Sequence, residues 1–178
     1  MCIRDRLYRA RMLIAIPGNM DYAEHYNRVE DPVYVNLHNS YKILGSYVFL
    51  GFGGSTITPF NTLFEFADDV IERSLLSLYN SAKQAGPEVQ SYILITHVPP
   101  YGTKCDVAYN GVNIGSKGVR KFIDVAKPLL AICGHVHESR CVDRVGSTVI
   151  VNPGPLSKGF YAVIELGGGG PRAFLRSL

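Results

Sequence analysis

No apolar run in these 178 residues reaches membrane-spanning length. The longest, "MLIAI", "YVFLGF", "YILI" and "PLLAIC", are strand-sized, whereas a span needs about 20 consecutive apolar residues. No charged-then-apolar leader with a small-residue cleavage site opens the chain, so secretion is not expected. The net charge is only +3, and Lys and Arg are scattered, which speaks against a nucleic-acid-binding stripe. The four cysteines, Cys2, Cys105, Cys133 and Cys141, contain no C-x-x-C pair. Reduced thiols and a cytoplasmic setting are therefore expected, with Cys133 a small buried hydrophobe.

What is present is a globular composition: 47% apolar and 19% charged residues, enough for one domain with a real core. The first six residues, "MCIRDR", resemble a translated adaptor sequence. Residues 1–6 are expected to be non-native, and 7–178 to form a single domain that begins inside a longer gene.

The apolar pattern predicts the tail of a helix before a buried strand at 12–16, stopped by Pro17-Gly18. A short helix is expected at 22–29, and β structure with a turn at Gly45-Ser46 runs to a strand at 47–51. An amphipathic helix spans 66–83 and ends at Gly86-Pro87. Strands follow at 92–96 and 129–133, separated by a helix from Ser116 to about 125. Paired strands around Gly146-Ser147 and a final hairpin at 160–165 and 172–175 complete the chain, with "GGGG" as its turn.

This order is α/β first and β-rich last. In open α/β sheets, ligands bind beyond the C-terminal ends of strands. Asn19, Gly53, His97, His135 and Asn152 all fall just after apolar strands. A lone histidine there is ordinarily structural, and "GN" is an ordinary turn. "GHVHE" is different, because two imidazoles on one tight loop serve one ion or two adjacent ions. Asn, His and His-x-His at three strand ends point to a divalent metal such as Mn, Fe or Zn.

The segments "PGNMD", "THVPPYGT", "GHVHES" and "VNPGP", in this order, resemble the calcineurin-like metallophosphoesterases, particularly short archaeal-type members. The resemblance runs from about Met12 to Leu166. It implies a four-layer α/β/β/α sandwich, here without its first strands, and hydrolysis of phosphate esters at two divalent metals with a bridging hydroxide as nucleophile. It also implies that Asn19, His97 and His135 bind the second metal and His137 the first. No side chain is assigned as catalytic. Gly54, Ser55 and Ser116 are candidate substrate contacts through backbone N–H groups, although tight turning accounts for them more simply. Asp21 orients the "GN" loop or caps a helix. Lys117, Arg120 and Arg140 read as surface charge, and His25 and His38 as structural or exposed.

The sequence departs from the family pattern twice. The D-x-H and G-D-x-x-D motifs, which supply the carboxylates, are absent: only Asp5 precedes Asn19. The family's "GNH" is "GNM", and a thioether has no proton to give a leaving group. The expectations are therefore at most one weakly held ion, little activity, an exposed apolar face with an unpaired sheet edge, and poor solubility. The partner is a phosphate-ester substrate, with no membrane and an open oligomeric state. The alternatives are a non-catalytic protein-binding scaffold of the same fold and a module holding one ion through Asn19 and the three histidines.

Overall fold

Alternation along the apolar strands divides their side chains between two faces, and the fold is built on that division. In β4 (Tyr47–Phe52), Val48, Leu50 and Phe52 point one way and Tyr47 and Phe49 the other. In β7 (Ser91–Thr96), Leu94 opposes Ile93 and Ile95. In β10 (Thr148–Asn152), Ile150 opposes Val149 and Val151. A computed structural model describes residues 12–84 and 91–178. The expected leading helix tail, residues 1–6 and the Gly86-Pro87 stop lie outside them.

The central sheet has six strands in the order β3-β4-β7-β8-β10-β9, with β3 at Ser40–Leu44, β8 at Leu130–Ile132 and β9 at Cys141–Val145. β4, β7, β8 and β10 run parallel; the edges β3 and β9 are antiparallel. The C-terminal ends of the four parallel strands therefore share one rim. On one face lie α2 (Asp68–Gln84) and α3 (Lys117–Ala126). Ile71, Leu75, Val119 and Phe122 are fully buried there against Val48, Leu50, Leu94 and Ile150; each such side chain contributes about 1.5–3 kcal/mol. On the other face, the hairpin β11–β12 (Phe160–Glu165 and Arg172–Ser177) packs Ala162, Ile164, Ala173 and Leu175 against Ile93, Leu130, Val149 and Val151.

Two small parallel sheets complete the described residues. β1 (Leu13–Ala15) pairs with β2 (Tyr34–Asn36), and β5 (Ser55–Thr56) with β6 (Glu65–Phe66). The helix expected at 22–29 is one turn, α1, at Ala23–Tyr26. The helix expected from 66 starts at Asp68, because Glu65 and Phe66 extend to pair with Ser55 and Thr56. No helix among the described residues is long and apolar enough to cross a membrane.

The cysteines correct an expectation. Cys105 and Cys141 form a disulfide rather than staying reduced, because the 3-10 turn Lys104–Asp106 abuts β9, where Lys104 N also donates to Asp143 at 2.8 Å. Cys133 is buried and free, and burial pushes its thiol pKa far up.

Candidate metal centre

Three loops meet at the shared rim. Ile16 to Asp21 leaves β1, His97 follows β7, and Cys133 to Glu138 follows β8. A backbone bond stitches the two histidine loops together, Gly134 N donating to His97 O at 3.0 Å, and another ties the second loop to β10, Cys133 N donating to Val151 O at 2.9 Å. Val136 N closes back on Gly134 O at 2.7 Å. His135 is the centre of that three-residue turn and sits at φ +62°. A non-glycine residue in the left-handed region costs about 1–3 kcal/mol and persists only where its surroundings hold it.

Asn152 supplies much of that hold. It is fully buried. Its amide donates to Val136 O at 2.9 Å and to Cys105 O at 3.3 Å, and its oxygen accepts from Gly154 N at 3.0 Å. The "VNPGP" asparagine thus fixes the "GHVH" loop from beneath.

The opposite wall is the "PGNMD" turn. Asp21 Oδ2 accepts from Gly18 N and from the Tyr26 hydroxyl, both at 2.7 Å. Asp21 therefore orients the "GN" turn; the residue capping α1 is Tyr22, with no side-chain bond. The turn lies so close to His97 that a Cβ on Gly18 would stand 3.0 Å from His97 Cε1. Asn19 Nδ2 donates to Thr62 Oγ1 at 3.0 Å, leaving its oxygen to face the cleft.

Across the cleft, Asn19 Oδ1 is 3.0 Å from His97 Nε2, which is 3.2 Å from His135 Nδ1. His137, Met20 and Asp21 line the same open cleft of about 390 Å³. Ligands about 2.1 Å from one ion stand roughly 3.0–3.4 Å from their nearest neighbours. Three lone-pair donors at that separation suit a divalent ion better than they suit one another, since each contact needs a ring proton to be a hydrogen bond. Burial and the neighbouring His135 hold His97 down to about 4, and burial also lowers His135. Both imidazoles are thereby kept neutral, the form that ligates metal. The trio is two imidazoles and an amide: among the described residues, no three His, Cys, Asp or Glu side chains gather as a metal-holding group.

With the geometry in place, comparison with known proteins identifies the family. A model of metallophosphoesterases of the calcineurin superfamily matches residues 10–169. The chain belongs to this family. An uncharacterized protein of Methanocaldococcus jannaschii, MJ1162, is 33% identical over 153 residues, covering 84% of this chain and 66% of that protein. The chain thus matches just under two thirds of that relative's length. A crystal structure with TM-score 0.76 and 24% identity covers 98% of this chain and 68% of its own. TT1561 of Thermus thermophilus has TM-score 0.63 and 22% identity, covering 90% and 71%. These likenesses show a shared fold, and the family match makes it that of the metallophosphoesterases.

The candidate substrate contacts fare differently from the histidines. Gly54 N donates to Pro17 O, Ser55 N to Phe64 O and Ser116 N to Pro99 O. The Ser116 hydroxyl binds Asp68 Oδ1 at 2.5 Å while capping α3 at Val119 N. The donors these positions would offer a phosphate are already engaged within the fold. Lys117 lies over the Tyr101 ring, Arg120 pairs with Asp124, and Arg140 stacks on Phe160. His25 is exposed, and His38 accepts from Gly53 N among Phe52, Phe64 and Phe66. Sequence reasoning missed Thr62, Glu65 and the disulfide. Nothing in their local spacing marked them, since each meets its partner only through the fold.

Proposed function

We propose that this chain supplies the amide-and-histidine wall of a divalent-metal phosphoesterase site, with Asn19, His97, His135 and His137 as its ligands. Metallophosphoesterases as a family hydrolyse phosphate esters. The observation that carries the reading is the approach of Asn19 Oδ1, His97 Nε2 and His135 Nδ1 at successive distances of 3.0 and 3.2 Å, in a cleft open to solvent. Imidazole and amide donors suit Mn, Fe or Zn. A divalent ion supplies Lewis-acid activation of a phosphoryl oxygen and lowers the pKa of water.

The chain's own residues set the rest. Asn19, His97 and His135 are neutral donors, so an ion they hold keeps its full charge for the substrate's anionic oxygens but is held weakly. One ion per chain is expected. A second ion beside His137 requires anionic donors beyond those the described residues gather. Met20 stands at the mouth, 67% exposed, and offers no proton to a leaving alcohol. Phosphodiesters and esters with acidic leaving groups are therefore the favoured substrates, and alkyl monoesters the poor ones.

The test is a calorimetric titration of the chain with Mn²⁺, run beside hydrolysis of bis(p-nitrophenyl) phosphate, p-nitrophenyl phosphate and phenyl phosphate. One bound ion, lost in both His97→Ala and His135→Ala, supports the assignment. Binding indifferent to both substitutions refutes it. Where the nitro analogue is turned over, an equal rate on phenyl phosphate refutes the role given to Met20.

A further inference from the structure

A carboxamide is nearly symmetric in shape, and only its hydrogen-bond partners decide which end faces a site. For Asn19, what selects one orientation is a chain of bonds outside the cleft. Thr62 Oγ1 stands 2.5 Å from Glu65 Oε1 and 3.0 Å from Asn19 Nδ2. A hydroxyl has one proton, and a carboxylate only accepts. The Thr62 proton therefore goes to Glu65, and Thr62 is left with lone pairs. Only the NH₂ end of Asn19 can satisfy those lone pairs; a flipped amide would set oxygen against oxygen and aim its nitrogen at His97.

Glu65 is itself fixed. Its Oε1 also accepts from Thr62 N at 2.8 Å and Thr58 Oγ1 at 2.6 Å, and its Oε2 from Thr58 N at 3.0 Å. These bonds, those from Thr58 first, hold the carboxyl down to about 2. The same loop grips the backbone, since Phe64 N donates to Asn19 O at 2.9 Å.

We propose that Glu65, acting through the Thr62 hydroxyl, is a positioning residue that turns the Asn19 amide oxygen toward His97 and so makes it available as a metal ligand. The ligation half of this statement rests on the metal reading above; the orientation half does not.

The experiment compares ¹⁵N-labelled, metal-free chain with Glu65→Ala, Thr62→Val and Thr62→Ser, reading the Asn19 side-chain NH₂ signals and then Mn²⁺ affinity. Alanine at position 65 removes the acceptor of the Thr62 hydroxyl, whose proton is then no longer committed away from Asn19, and either end of the carboxamide can face it. The Asn19 signals should move in Glu65→Ala and Thr62→Val and stay in place in Thr62→Ser. Mn²⁺ affinity should fall roughly 10-fold or more in the first two and stay within about twofold in the third. Asn19 signals that superimpose for the parent chain and folded Glu65→Ala overturn the proposal. Signals that move with no change in affinity overturn its ligation half. If the parent chain takes up no Mn²⁺, the metal reading falls and the amide signals alone judge the relay. If Thr62→Val fails to fold, Glu65→Ala and Thr62→Ser carry the comparison.

Discussion

The two walls of the cleft are built differently. The histidine wall grows from the central sheet, where every residue of β10 is buried and Asn152 and the Cys105–Cys141 bridge reach up from the core. The asparagine wall grows from β1 and β2, every residue of which is only half-buried. It is held by side-chain bonds among neighbours: Asp21 to Gly18 and Tyr26, and Glu65 to Thr62 to Asn19. One wall is positioned by the fold and the other by a local polar network. Damage to the first should therefore cost global stability, and damage to the second should cost metal affinity with little loss of stability.

The bridge tests the first half most severely. Cys105 and Cys141 are 36 positions apart, and closing a loop of that length stabilises by about 3–4 kcal/mol in the chain-entropy model. Urea unfolding with and without reductant should show a loss of that order, and Cys105→Ser should match the reduced protein. Identical curves would mean that the histidine wall does not depend on the bridge. Next comes Asn152→Leu, close to isosteric, which leaves the Val136 and Cys105 carbonyls without their donor in the core and Gly154 N without its acceptor. A destabilisation of about 2 kcal/mol or more is expected from the same measurement.

The histidines give the same wall a pH dependence. As pH falls through about 6.5, imidazole in the unfolded chain takes up a proton, while His97 in the fold resists until about 4. Burial and His135 hold it down, His137 adds to them, and Asp21 opposes them. Between those values the unfolded state binds more protons, so stability is full above the window and is lost as pH falls through it. The loss from pH 7.5 to 5 should be about 2 kcal/mol. His97→Gln should flatten that slope; an unchanged slope would place the titration elsewhere.

Legibility followed the same division. Strand ends were readable because alternation fixes a strand and Gly or Pro closes it, so His97, His135 and Asn152 were legible as strand-end residues, and the parallel pairing of their strands brings them to one rim. The "GHVH" pair drew notice because two imidazoles on one loop have a chemical use. The asparagine wall was less readable. Asp21 left capping and turn-orienting equally open until the Tyr26 hydroxyl and Gly18 N were seen on one carboxylate oxygen. Thr62 lies 43 positions from Asn19, and Glu65 lies just beyond it, in a loop with no periodic pattern. The start of α2 differs from the expected one for a related reason: Glu65 and Phe66 are drawn out to pair with Ser55 and Thr56, on a strand that no local pattern marks as their partner. Backbone patterns are local and survive in sequence; polar bonds between loops depend on distances that only the finished fold sets.

The smallest stability effect should come with a large functional one, and Asp21 is where the two separate. Asp21→Ala removes the acceptor for Gly18 N and the Tyr26 hydroxyl at a half-exposed site, where water replaces much of what is lost, so about 1 kcal/mol is expected. Yet those two bonds hold the "GN" turn against His97, and Asn19 moves with the turn. Mn²⁺ affinity should drop roughly 10-fold, as for other residues that orient a ligand. Gly18→Ala approaches the same point from the opposite side, because its added carbon would press on the His97 ring at 3.0 Å. Both variants should melt close to the parent and bind Mn²⁺ poorly. If Asp21→Ala instead destabilised the chain as much as Asn152→Leu does, the asparagine wall would belong to the core after all, and the contrast between the walls would collapse.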